Sequence, residues 1–149
     1  MKTAVRFSLI LIVAILLALF VNVRISDFFM ATIFNVSGIM FSLGLGLIVS
    51  FNINGVKNKQ FIASIRRNLC QVRNSFIKYF SIAVVCYILD EVVKSQDLEA
   101  LAFSLGNRIF SLNWSLFFAT IMFYSIIYFI FNFLQVQKLN NDIFDELNK

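Results

Sequence analysis

The chain has 149 residues, of which 60% are hydrophobic and 14% are charged, and its mean hydropathy is +0.84. An ordinary soluble domain is about 45–50% apolar and about 25% charged, so this chain has too much Phe, Ile and Leu to present a polar surface. Pro is absent and Gly numbers only five, so few residues interrupt a helix. The composition excludes an ordinary soluble domain and predicts an all-α, polytopic membrane protein.

The sequence shows none of the residue patterns that are typical of catalytic or metal-binding sites. It has no His, the commonest metal ligand and general base, and its two cysteines, Cys70 and Cys86, form neither a disulfide framework nor a metal motif. No phosphate-cradling glycine loop and no nucleophile with a neighbouring base stands out. The net charge of +5 sits mostly beside apolar segments, as in membrane proteins, rather than in a nucleic-acid-binding patch. We therefore expect no enzyme activity, no cofactor, no metal and no nucleic-acid partner.

The first two predicted spans cover residues 7–23 and 28–51. The first has no charged residue and exceeds the 7–15 residues of a signal-peptide core, with no small-x-small cleavage site after it. We expect an uncleaved anchor. The second follows a short turn in which Ser26 or Asp27 can cap the helix, and its 24 uncharged residues are enough to cross about 30 Å of hydrocarbon.

A basic, polar segment covers residues 52–78. From about residue 58, Phe61, Ile65, Leu69, Val72 and Phe76 recur at helical spacing, which predicts a cytoplasmic amphipathic helix. This helix either lies on the membrane surface or continues into the third span. Its basic residues favour contact with acidic lipid, while a nucleotide messenger or a cytoplasmic protein stays open as the ligand. The basic residues of the segment are Lys57, Lys59, Arg66, Arg67, Arg73 and Lys78.

The third predicted span, residues 76–93, is the weakest. Lys78 and the pair Asp90 and Glu91 bracket only eleven uncharged residues. The span requires Lys78 to extend its ammonium to the headgroups and the acidic pair to lie at the far interface. An interfacial position for Asp90 and Glu91 is favoured, and a proton or cation role is the alternative. The apolar patch in residues 94–107 predicts a short helix on the outer surface.

The fourth predicted span covers residues 111–134 and carries Trp114 near its start, where interface anchors lie. The helical stripe continues through a mostly polar tail, residues 135–149. We expect the tail to project into the cytoplasm.

The distribution of basic residues predicts the orientation. Ten basic residues fall on the side of the two termini and the basic segment, and three fall on the opposite side. Basic flanks resist translocation, so both termini are expected in the cytoplasm of a bacterium, with the spans in its inner membrane. The three residues on the outer side are Arg24, Lys94 and Arg108.

Small and polar residues share one face of the second span. Their spacings of four, three, four and four place Ala31, Asn35, Gly38, Ser42 and Gly46 together. Small faces let helices approach closely, and Asn35 can hydrogen-bond across the contact. Two interpretations stay open: ordinary packing within one monomer, which is favoured, or a pore-lining or self-association seam in an oligomer. Ser37 and Gly44 lie on roughly the opposite face.

The arrangement resembles small bacterial four-helix membrane proteins of phage-exclusion systems, of the lambda Rex type. The resemblance lies in a short outer turn, a second span containing Ala31-Thr32 and Gly38-Ile39-Met40, a basic inner loop, and a polar tail after Phe131-Asn132-Phe133-Leu134-Gln135. It implies an antiphage, abortive-infection effector that opens an ion leak as an oligomer when a cytoplasmic sensor protein signals infection. No functional residue is carried over from it. The alternative is a non-conducting membrane partner, such as an immunity protein or a transporter accessory subunit.

Overall fold

The computed structural model describes residues 2–21, 23, 25–51, 59–96, 100–105 and 108–147. Four helices dominate: α1 (Lys2–Phe20), α2 (Asp27–Val49), α3 (Lys59–Ser95) and α4 (Trp114–Leu147). Two short strands, β1 (Ala100–Leu105) and β2 (Arg108–Asn113), form an antiparallel hairpin between α3 and α4. The prediction of a mainly helical chain is confirmed.

Helix α2 starts where the sequence placed its cap. The Ser26 hydroxyl accepts a hydrogen bond from the backbone N–H of Phe29 at 3.3 Å, and the Ser26 carbonyl accepts one from Met30. These bonds satisfy backbone groups that a helix start otherwise leaves unpaired. The sequence-based expectation that Ser26 or Asp27 caps α2 is confirmed for Ser26.

The hairpin corrects two predictions. Residues 94–107 were expected to form a short outer helix, but Ala100–Leu105 pairs with Arg108–Asn113 as a strand. The larger apolar residues Leu101, Phe103 and Leu105 recur at every second position, which is the period of a strand. The fourth helix consequently starts at Trp114 rather than near residue 111, since Ser111 pairs with Ala102 in the hairpin.

Helix α3 runs without a break for 37 residues, which at about 1.5 Å per residue is roughly 55 Å. The basic amphipathic segment was expected either to lie on the membrane surface as a separate helix or to continue into the third predicted span. In the structure it continues into that span as one helix. Helix α4 is similarly long, with 34 residues.

Helices α2, α3 and α4 pack against one another, and α1 packs on α4 and β2. Small buried side chains, Ala14 and Ala18 on α1 and Ala119 on α4, allow that peripheral helix to approach closely. We call the end of the bundle with the strands and residue 27 the hairpin end, and the end with residue 66 the basic end. Towards the basic end, Ile65 and Leu69 of α3 form a buried cluster with Val136 and Ile143 of α4.

Of the four predicted spans, two correspond to described helices that are long and apolar enough to cross a membrane: Asp27–Val49 and Trp114–Phe144. The described side chains of α1 give a shorter apolar helix, Ser8–Phe20. Helix α3 falls short because basic residues such as Arg66 and Arg73 occupy its first half and charged residues also lie in its second half.

Candidate functional site

One face of α2 is built into the bundle. Its buried residues are Met30, Ile33, Ser37 and Gly44. A Cβ atom at Gly44 would overlap the ring of Phe76, which is itself fully buried. Ser37 is 0% exposed, and its hydroxyl has no hydrogen-bond partner in the described part of the chain. This face therefore depends on the absence of a side chain at residue 44.

The face that the sequence singled out points elsewhere. Asn35, Ser42 and Gly46 are exposed, and Ala31 and Gly38 are half-buried. A Cβ at Gly46 would meet nothing within 4 Å, and one at Gly38 would lie 3.8 Å from Phe80 Cε2, an ordinary contact. The structure thus places Ser37 and Gly44, rather than Asn35, Ser42 and Gly46, against the rest of the chain.

We define the exposed α2 face as the residues that share this side at alternating spacings of four and three: Phe28, Thr32, Asn35, Ile39, Ser42, Gly46 and Val49. The Thr32 hydroxyl donates to the Phe28 carbonyl at 2.7 Å, so its polar group is satisfied within the helix. The Asn35 amide has no hydrogen-bond partner in the described residues. The exposed α2 face therefore combines large apolar residues with an amide that no described residue satisfies.

A second group of polar residues joins α2 and α3 at the hairpin end. Lys94 Nζ lies 2.7 Å from Asp27 Oδ1 and 2.8 Å from Asp90 Oδ2. Asp90 is 0% exposed and Lys94 14% exposed, whereas the Asp27 side chain is 84% exposed. The Asp90 contact has ion-pair distance without hydrogen-bond geometry. We call these three residues the ionic tie. Glu91, the other member of the predicted acidic pair, is exposed and lies outside it.

The pKa of Lys94 reflects two opposing effects. Partial burial lowers the pKa because it disfavours the charged ammonium, but the contacts and charges of Asp27 and Asp90 raise it by more. The net pKa lies above the ordinary lysine value, so Lys94 is charged at neutral pH. Sequence reasoning treated Lys94 only as an outer charge. The spacing of Asp90 and Lys94, four residues apart on one helix, was the available signal for an ion pair.

Asn113 makes another connection at the hairpin end that sequence reasoning missed. Its Nδ2 donates to the Val23 carbonyl at 2.9 Å, and its Oδ1 accepts from the backbone N–H of Leu116 at 3.1 Å. One side chain therefore caps α4 and holds the segment between α1 and α2.

The predicted basic residues do not converge on one point. Arg66, Arg67, Arg73 and Lys78 are exposed along α3. Arg73 contacts Asn74 Oδ1 through Nε and Nη2 at 3.4 and 3.3 Å. Lys59 is the first residue of α3, and Lys57 lies outside the described residues. The basic end is thus a positively charged surface rather than a closed anion site.

A cleft of about 370 Å³ opens between α3 and α4 near the basic end. Sequence reasoning did not identify it, because its two walls are separated by more than fifty residues. The lining residues are Asn68, Leu69, Gln71, Val72, Ser75, Tyr128, Gln135, Val136 and Leu139. Five of these nine side chains carry uncharged hydrogen-bonding groups, so the cleft suits a polar ligand.

No protein-family model, no curated protein and no solved structure matches this chain.

Proposed function

We propose that the chain is an antiphage effector that permeabilises the bacterial inner membrane as a homo-oligomer, with four spans and both termini in the cytoplasm. The observation that carries this proposal is the exposed α2 face with its unsatisfied Asn35 amide. The resemblance in arrangement to phage-exclusion proteins supplies the biological setting.

The distribution of exposed apolar residues supports insertion in a membrane. In the most apolar 18-residue stretch of α2, only 17% of the residues are buried, whereas the core helix of a soluble protein is mostly buried. Exposed large apolar side chains occur on all four helices. A surface with so many exposed apolar side chains fits a lipid environment, because large exposed apolar patches are rare in soluble monomers.

The same distribution supports α1 and α3 as spans. Exposed apolar residues extend on α1 from Leu9 to Phe20 and on α3 from Ile77 to Val92. The first half of α3 instead exposes Arg66, Arg67 and Arg73. A single helix that crosses the membrane with its second half and projects its first half into the cytoplasm accounts for both surfaces. The ten-to-three distribution of basic residues supports the orientation.

Asn35 supports self-association. It lies eight residues beyond Asp27, which at about 1.5 Å per residue places it roughly 12 Å into a span. An amide facing hydrocarbon at that depth lacks the hydrogen bonds that water provides. An amide both donates and accepts, so two copies related by a twofold axis can satisfy each other's Asn35. The small residues Ser42 and Gly46 then let the backbones approach.

The packed interior of the bundle favours an ion path between copies of the chain over an ion path through a single copy. Phe76, Tyr79 and Phe129 are buried together between α3 and α4, and Phe41 and Phe80 stack at 4.3 Å between α2 and α3. Aromatic packing of this kind fills the centre of the described bundle. The hydroxyls of Thr32 and Ser42, which the pairing of Asn35 does not use, are available to line a path between copies when several assemble.

Cysteine crosslinking tests the seam. Asn35→Cys, in a Cys70→Ser background, is expected to form an intermolecular disulfide in membranes under mild oxidation. The matched control is Ser37→Cys in the same background, because Ser37 lies on the same helix but is fully buried. Equal crosslinking at both positions, or crosslinking at neither, would contradict self-association through the exposed α2 face.

Membrane potential tests the activity. Inducible expression together with the genetic neighbours is expected to depolarise cells, and Asn35→Leu is expected to reduce the effect. Val85→Leu, a conservative change at an exposed residue of α3, is the control. If the wild-type chain never depolarises the membrane, the ion-leak proposal fails and a non-conducting membrane partner becomes the better account.

Reporter fusions test the topology. An enzyme active only in the cytoplasm, fused after Lys149, is expected to be active, and the same enzyme inserted at residues 97–99 is expected to be inactive. An inactive enzyme at the C-terminus would contradict a four-span topology and indicate one span fewer.

A further inference from the structure

We propose that the cleft between α3 and α4 binds the phosphate-bearing headgroup of an anionic phospholipid, with Lys78 as its positive partner. This inference rests on the proposed membrane insertion, because insertion sets the depth of the cleft. It assigns a discrete site, whereas the basic surface by itself indicates only general attraction to acidic lipid.

The first argument is the chemistry of the walls. On α3, Asn68, Gln71 and Ser75 occupy one side of the helix, and Tyr128 and Gln135 face them from α4. The side-chain amides of Asn68, Gln71 and Gln135 make no hydrogen bond within the described part of the chain. Amides and hydroxyls donate to phosphate oxygens and accept from headgroup hydroxyls. No carboxylate is among the described residues that line the cleft, so none of these side chains repels an anion.

The second argument is the position of Lys78. It is exposed and does not itself line the cleft, but it lies seven residues beyond Gln71, about two turns, which places it on the same side of α3 as that lining residue. Side chains on a helix tilt towards its N-terminus, which for Lys78 is the direction of Ser75. The flexible stem extends the ammonium further in that direction. An ammonium at the rim of a cleft lined with neutral donors is a suitable partner for a phosphate.

The third argument is depth. On α3, Ile77 is the first exposed large apolar residue after the cleft residues, and on α4 Leu134 is the last one before Gln135. The cleft therefore lies where the run of exposed apolar residues ends and the charged basic end begins, although Phe61 and Phe144 are also exposed beyond it. In an inserted protein this is the level of the phospholipid phosphates, so acyl chains can run along the apolar surface while the headgroup occupies the cleft.

Native mass spectrometry of the full chain, released from nanodiscs containing equal amounts of phosphatidylglycerol and phosphatidylcholine, tests the site. The wild type is expected to retain one phosphatidylglycerol per protomer in preference to phosphatidylcholine. Lys78→Gln is expected to lower that preference about fivefold, the value of one basic residue near an anionic surface. Arg73→Gln removes the same charge from roughly the opposite side of α3 and is expected to leave the preference unchanged. Equal losses in the two variants, or no preference in the wild type, would overturn the site.

Gln71→Leu provides an independent test, because it removes an amide from the cleft without changing charge. It is expected to reduce retention of phosphatidylglycerol while the thermal unfolding profile stays that of the wild type. Full retention would overturn the role of the cleft.

Two further arms separate the possible outcomes. Glycerol phosphate added in solution is expected to leave bound phosphatidylglycerol in place. If glycerol phosphate displaces the bound lipid, the cleft is a site for soluble phosphate compounds and the proposed lipid site is wrong. Alkaline carbonate washing of membranes separates the two proposals. If the wash releases the chain, the proposed membrane function is wrong. If the chain stays inserted but shows no preference for phosphatidylglycerol, only the lipid site in the cleft is wrong.

Discussion

The two faces of α2 carry similar residues in opposite environments. Ser37 and Gly44 are buried, with the ring of Phe76 from α3 beside Gly44, whereas Ser42 and Gly46 are exposed. The difference between Gly44 and Gly46 arises from Phe76, whose ring occupies the space where a Gly44 side chain would be. Small residues at helical spacing therefore mark a face on which close approach is possible. The large residue opposite determines whether that approach occurs within the chain.

The largest expected effect comes from the ionic tie, which helps to fix which face of α2 turns inward. Lys94→Met leaves the fully buried Asp90 without its ion-pair partner. Breaking a buried pair in this way typically costs about 3–5 kcal/mol. We expect a loss near the lower end, measured by denaturant titration in detergent. Lys94→Arg should retain most of the stability, and a Lys94→Met protein as stable as the wild type would contradict the importance of the tie.

The glycine pair gives the next effect and tests the comparison directly. Gly44→Ala is expected to destabilise the chain by about 2 kcal/mol, because the buried Phe76 ring must move to accommodate the methyl group. Gly46→Ala is the matched control, with open space around the new atom. It should be neutral or slightly stabilising, since alanine favours a helix over glycine. Equal effects would mean that the two faces are not distinguished as described.

Asn35→Leu is expected to leave unfolding of the protomer unchanged and to weaken association. Interhelical hydrogen bonds in membranes contribute on average about 0.6 kcal/mol and up to about 1.7 kcal/mol, so the dissociation constant should rise by a factor between about three and about seventeen. Energy transfer between labelled copies in liposomes, over a range of lipid-to-protein ratios, measures it. Unchanged association would assign the exposed α2 face to lipid alone.

The smallest effect concerns pH. The pKa of Lys94 in the folded chain is raised, so its contribution to stability is complete below the ordinary lysine pKa of 10.5. It is lost as the pH rises through the folded-state pKa. Thermal unfolding between pH 8 and pH 11 should show a decline at the alkaline end that Lys94→Arg reduces, because arginine stays charged there. A decline of the same size in both proteins would place its origin elsewhere.

Local signals predicted the parts of the fold that depend on local chemistry. The Ser26 cap and the predominance of helix follow from nearby residues. The hairpin was missed because Ala100–Leu105 is stabilised by pairing with Arg108–Asn113, and its apolar content also suits a helix. The inward face of α2 was not predictable, since it depends on Phe76, 32 positions beyond Gly44. The cleft and the contact of Lys94 with Asp27 likewise require knowledge of how the helices pair.

The continuity of α3 has a mechanical consequence. Its 37 residues contain neither Gly nor Pro, so the helix has no hinge of the usual kinds. Arg66 and Asp90, 24 positions apart, therefore belong to one unbroken rod. Along its length this rod packs on α2 and α4, with Leu69 in one buried cluster and Phe76 in another, and it meets α2 again where Lys94 contacts Asp27. A displacement of the basic end has to shift these contacts together, so the ionic tie at the start of α2 is the last of several contacts that resist it.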